Sequence, residues 1–206
     1  MSRLFLQLEK NLCYNSYMNN NYPKYKICVS GAAETDMCGE SAFAKAEELG
    51  KEIIKQNCVL VNGATTGFPY WAAKGAKSVD GIVVGISPAG SEKEHVEYYK
   101  LPLDYQNLII YTGFGYSGRN LLLTRSADAV VVGCGRMGTI NEFTIAFEDK
   151  KPIGILTGEW GTDELLKEII QKSHRAEEMK DKIIFSADPK ELISKVVELI
   201  KKEKGR

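Results

Sequence analysis

The chain has 206 residues and equal numbers of basic and acidic side chains, 27 of each, so its formal net charge is zero. That length suits one α/β domain with a full core, and the balanced charge argues against a protein that works on DNA or RNA through a broad basic face. No apolar run approaches the roughly 20 residues needed to cross a bilayer, and charge interrupts residues 1–10 too early for a secretory signal, so neither a membrane nor a nucleic-acid partner is expected, and the expected location is cytoplasmic.

Residues 1–24 carry Asn11, Asn15, Asn19, Asn20 and Asn21 among tyrosines, without periodicity, and Pro23 closes the stretch. They read as an N-terminal extension or arm ahead of a single domain over residues 25–206. Lys26–Ser30 predicts a first strand opening onto Gly31-Ala32-Ala33. A helix follows over about 40–56, with Ala42, Ala46, Leu49, Ile53 and Ile54 on one face. Val59–Val61 is a second strand, leading through Gly63-Ala64-Thr65-Thr66-Gly67 into a helix around Trp71 to Lys77. Gly63, Thr65 and Thr66 are candidate ligand contacts, the threonines through their hydroxyls.

Gly81–Ile86 is a third strand. The connection from Ser87 to Asn107 is long enough to suggest a lid or ligand-contacting loop. Within it His95 lies among Glu92, Glu94 and Glu97 and reads as part of a charged surface turn. Leu108–Tyr111 is a fourth strand, and the glycine-rich run from Thr112 to Gly118 leads to Arg119 near a helix start. Ala129–Val132 lies in a fifth strand, Pro152–Leu156 in a sixth and Lys182–Phe185 in a seventh. Helices over about 163–172 and 189–202 complete the chain.

Apolar strands alternating with helices specify a doubly wound, Rossmann-like parallel sheet of about seven strands with helices on both faces. Ligands bind such sheets beyond the carboxyl ends of the strands, where the loops bearing Gly31, Gly63, Gly118 and Gly135 converge. The stretch Cys134-Gly135-Arg136-Met137-Gly138-Thr139-Ile140-Asn141-Glu142 carries the most chemistry. A strand that turns through glycines into a helix leaves backbone N–H groups unpaired, and the helix dipole adds positive potential, which suits phosphate. Gly135, Arg136, Met137, Gly138 and Thr139 are therefore the candidate phosphate cradle, and Glu142 places a carboxylate one turn deeper. Five cysteines without CxxC spacing predict neither a disulfide nor a metal site, with Cys28 and Cys58 as small apolar residues and Cys134 as a turn residue.

The same stretch resembles the PGGxGTxxE motif of the LONELY GUY (LOG) proteins: Gly135, Gly138, Thr139 and Glu142 match, while Cys134 replaces the proline and Arg136 the second glycine. Residues 118–129 resemble that family's arginine-bearing helix, with Arg119 on its catalytic arginine. Asn120 stands where plant-type members carry lysine, and Tyr116 where they carry methionine. Asn62–Gly67 resembles the GGGxxG loop with only the second and last glycines kept. The resemblance spans roughly Lys26 to Leu156, and the Arg-Asn pair and Gly-Ala-Thr loop are closer to bacterial Rossmann-like relatives that include molybdenum cofactor carrier proteins.

The resemblance implies a phosphoribohydrolase that splits a nucleoside 5′-monophosphate into base and ribose 5-phosphate. Glu142 would stabilise an oxocarbenium-like transition state and Arg119 would position the reacting groups, with no metal or cofactor required. A non-catalytic carrier of a phosphorylated ligand, such as molybdenum cofactor or a nucleotide, is the alternative. Either way a homodimer or higher homo-oligomer is expected, formed partly through Phe68, Tyr70 and Trp71.

Overall fold

The computed structural model describes residues 24–205, so the expected N-terminal arm lies outside the described residues except for Lys24. Seven strands are found there: β1 Lys26–Ser30, β2 Val59–Asn62, β3 Val83–Ser87, β4 Leu108–Tyr111, β5 Ala129–Val132, β6 Ile153–Leu156 and β7 Ile183–Ser186. They form one parallel sheet in the order β4-β3-β2-β1-β5-β6-β7. The helices are α1 Ser41–Lys55, α2 Phe68–Lys77, α3 Gly115–Ser126, α4 Met137–Glu148, α5 Thr162–Lys172, α6 Ala176–Met179 and α7 Pro189–Lys204.

Strand alternation divides the core between the two faces of the sheet. Ile27 and Val29 of β1 face Leu49 and Ile53 of α1, Ala72 of α2 and Val196 of α7. Cys28 and Val130 face the other layer, with Leu123 of α3, Phe143 of α4 and Leu166 of α5. The chain winds outward from β1 to β4, then returns through α3 to place β5 on the opposite side of β1. That reversal opens a crevice at the carboxyl ends of β1 and β5, where Ser30 pairs with Val132.

The α7 ends follow sequence rules. Asp188 caps its start by accepting from Lys190 N–H at 2.8 Å, Pro189 occupies the first turn, and Gly205 ends it in the left-handed region at φ 64°. The short α6 had no periodic signal, since one buried residue, Met179, holds an otherwise polar turn. At the sheet edge β4 leaves Leu108 and Ile110 exposed.

Gly50 lets α1 and α2 approach closely, because a Cβ there would lie 1.9 Å from the Ala72 carbonyl oxygen. Backbone cannot yield as a side-chain tip does. Gly50→Ala is therefore expected to destabilise the fold by about 1–3 kcal/mol through overpacking, lowering Tm by roughly 2–12 °C. Calorimetry checks this; an unchanged Tm would show that the two helices separate freely.

Two expectations for individual residues are corrected. Phe68, expected to offer surface to a partner subunit, is fully buried, its ring filling the space above Gly133. His95, expected in a charged surface turn, is also fully buried. The connection after β3 folds into a π-helical turn, Glu94–Tyr98, that brings the imidazole inward. Its Nδ1 lies 2.8 Å from Ser87 Oγ and its Nε2 3.1 Å from the Pro102 carbonyl oxygen. The acidic neighbours read in sequence take the outer side of that turn, leaving His95 to staple the connection to the end of β3.

Candidate functional site

The crevice at the β1/β5 switch point holds a cleft of about 440 Å³, within the range of small-molecule sites. One wall is Gly31 to Glu34, after β1; the opposite wall is Arg136 to Thr139 at the start of α4. Thr65 comes from the loop after β2, and Tyr116, Arg119 and Asn120 from α3. Glu142 closes the floor.

No side chain caps α4. The first bond of the helix is Ile140 N–H to the Arg136 carbonyl, at 3.0 Å, so the N–H groups of Met137, Gly138 and Thr139 have no acceptor inside the helix. A Cβ at Gly138 would meet nothing within 4 Å, which leaves the approach to these donors open. Gly135 is different: its N–H donates to Thr162 Oγ1 at 2.9 Å. The run of open N–H donors therefore begins at Met137 rather than at Gly135.

Arg119 is the cation of the site. Only 5% of it is exposed, and among the described residues its guanidinium has neither a hydrogen-bond acceptor nor an ion-pair partner within 4.0 Å. It packs 5.9 Å from the Tyr116 ring centroid. Its seat is made by Gly63, where a Cβ would fall 1.5 Å from Arg119 Nη1. Gly63 thus serves the site by its missing side chain, although it does not line the cleft.

Glu142 is buried and held at both oxygens. Ser30 Oγ–H donates to Oε2. Asn120, with its amide oriented to satisfy its neighbours, donates to Oε1 and to the Tyr116 carbonyl, both at 2.9 Å. Burial pushes the Glu142 carboxyl above the usual range, opposed by Arg119 and by the Ser30 hydrogen bond. The side chain thereby ties α4 to β1 and α3 while lying at the floor of the cleft.

The other candidates divide. Thr65, Arg136, Met137, Gly138 and Thr139 line the cleft. Thr66 instead donates its hydroxyl to the Ala33 carbonyl at 3.0 Å. Gly118 lies inside α3 against Phe114. Arg136 pairs with Glu34 across the mouth of the cleft. The connection from Ser87 to Asn107 contributes no wall; its Tyr99 packs edge-on against Tyr116, 5.4 Å between ring centroids. Ser30 and Glu34 were missed because neither sits in a motif, and only the register of β1 beside β5 brings them to Glu142 and Arg136.

The cysteine reading is also corrected. Cys38 and Cys134 form a disulfide with their Cα atoms 5.6 Å apart, while Cys28 and Cys58 are free and buried. The pair is 96 residues apart in sequence. Sequence spacing could not reveal it; the crevice places the loop after β1 beside the turn after β5.

Sheet order, switch point and helix arrangement define a Rossmann-like α/β protein. The chain belongs to the SLOG cluster4 family, whose model matches residues 24–193. An uncharacterized protein of Archaeoglobus fulgidus is 34% identical over 131 residues, 64% of this chain and 79% of its own. The molybdenum cofactor binding protein of Rippkaea orientalis superposes with a TM-score of 0.67 at 25% identity, covering 89% of this chain and 99% of its own. The molybdenum cofactor carrier protein of Chlamydomonas reinhardtii gives 0.68 at 27%, covering 86% and 99%. The resemblance read from the sequence holds at the level of this SLOG fold rather than of the narrower LONELY GUY group. Among the described residues no helix is long and apolar enough to cross a membrane.

Proposed function

We propose that this protein binds and carries a phosphorylated ligand, with molybdenum cofactor, a phosphate-bearing pterin, as the cargo. The observation that carries the reading is Arg119: a buried guanidinium with no acceptor among the described residues, facing the same cleft as the open N–H groups of α4. A guanidinium at the bottom of a cleft, without a partner among the described residues, is suited to pair with an anion that enters it. The similarity to a molybdenum cofactor binding protein and to a carrier protein supports this cargo.

The phosphoribohydrolase implied by the LONELY GUY resemblance uses the same residues for turnover. Glu142 favours the carrier: both of its oxygens are already engaged, by Ser30 and by Asn120, which tie it to β1 and α3. The test is to purify the chain from cells that make molybdenum cofactor and from cells that cannot. Bound molybdenum and pterin are measured by elemental analysis and by fluorescence after oxidation, and free base is assayed with a panel of nucleoside 5′-monophosphates. Pterin bound near one per site without base release is expected; multiple turnovers on any monophosphate would replace the carrier with the hydrolase.

A further inference from the structure

We propose that Cys38 and Cys134 are a thiol–disulfide site that sets ligand affinity by pinning the two walls of the cleft together: the oxidised protein binds and the reduced protein binds more weakly. The affinity part rests on the binding reading above.

The geometry is specific to those walls. Gly31 to Glu34 line one side, and Cys38 lies just beyond them in the same loop. Arg136 to Thr139 line the other, and Cys134 lies just before them. At the base, Ala32 N–H donates to the Cys134 carbonyl at 2.8 Å, and Phe68 N–H to the Ala32 carbonyl at 2.9 Å. These backbone bonds anchor the root of the loop whatever the state of the sulfurs.

The outer part of the loop has much less. Residues 34–40 form no helix or strand. Their ties among the described residues are two local turns, Cys38 N–H to the Thr35 carbonyl at 2.8 Å and Ala42 N–H to the Gly39 carbonyl at 3.3 Å, the packing of Cys38 in the core, and the Glu34–Arg136 pair. That pair is 77% and 52% exposed at its two side chains, and solvent-exposed pairs of this kind contribute little. Among the described residues the disulfide is therefore the one covalent link between the outer loop and the start of α4. Cutting it frees the wall without removing the bonds that hold the sheet.

Reduction by a small dithiol balances simply. A thiolate of the reductant attacks one sulfur, the Cys38–Cys134 bond breaks, and the second thiol of the reductant resolves the mixed disulfide. Two electrons and two protons pass to the protein, giving two cysteine thiols, while the dithiol becomes its own disulfide. Both cysteines are fully buried, so attack requires the loop to open. A ligand bridging the walls opposes that opening. Reciprocity then requires that the ligand disfavour reduction at equilibrium if oxidation strengthens binding.

The experiment compares the oxidised protein, the dithiol-reduced protein and the Cys38→Ser/Cys134→Ser variant, with the disulfide assigned by peptide mapping. Adenosine 5′-monophosphate is the binding probe, read by titration calorimetry, and hydrogen exchange is followed without any ligand. Reduction is expected to weaken probe binding about five-fold or more, the lower range for coupling between two sites. It should also speed exchange at residues 34–40 while leaving the sheet protected, and the double variant should match the reduced protein and ignore dithiol. Equal affinity in both redox states, or free thiols at both positions after incubation with glutathione disulfide, overturns the proposal. If neither state binds the probe, the affinity claim is overturned, whereas the binding reading is judged separately by the pterin measurement above. The pinning of the walls is then decided by exchange alone, and unchanged exchange on reduction overturns that as well.

Discussion

Replacing Arg119 with alanine is expected to weaken binding of a phosphorylated ligand roughly ten- to hundred-fold, the loss of one or two hydrogen bonds to a charged group. The fold should survive the change, because the guanidinium has no acceptor among the described residues and its removal orphans none of them. Arg119→Met, which keeps the apolar stem, is expected to be close to wild type in stability, since no described residue loses a partner. Gly63→Ala is the indirect version of the same experiment. Its added methyl lands on Arg119 Nη1, the mobile end of a flexible side chain, so the guanidinium moves before the backbone does. Binding should drop with little change in Tm. Calorimetric titration of ligand alongside thermal melts reads both quantities; full affinity in Arg119→Met would remove Arg119 from the site.

Glu142→Gln is expected to raise stability at neutral pH and to leave ligand affinity close to wild type. Burial holds the Glu142 carboxyl above the usual range, so the native state binds that proton more tightly than the unfolded chain does. Stability therefore falls as pH rises from the ordinary carboxylate value, about 4.3, through the raised folded value. Glutamine carries no such charge. Both neighbours also adapt to it, because the Ser30 hydroxyl accepts as readily as it donates and the Asn120 amide turns over. The gain in Tm should be present at pH 7 and shrink as pH drops toward the ordinary carboxylate range. Under the hydrolase reading the same substitution abolishes base release, so wild-type turnover lost in the variant would make Glu142 catalytic.

The sequence by itself determined the sheet and the location of the cleft. Apolar strand runs such as Ala129–Val132 and the one-sided pattern of Ala42, Ala46, Leu49 and Ile53 are local and periodic, so burial on a layer can be read from them. The turn at 134–142 was legible for the same reason: strand, glycines and helix start are contiguous, and their unpaired donors follow from backbone geometry. Arg119 and Glu142 were singled out as residue types, and both line the cleft.

Only the tertiary structure decided how those residues are held. Gly63 is a seat for Arg119 because a strand end and a helix meet there. Ser30 reaches Glu142 because β1 and β5 are paired in a given register across about a hundred residues of chain. His95 is buried because an irregular π-helical turn rotates it away from its acidic neighbours. Cys38 and Cys134 bond because the topological reversal lays their loops side by side. Each is a contact between segments far apart in sequence, whose proximity is fixed by the packing of the whole sheet, and periodicity within one segment carries no information about it.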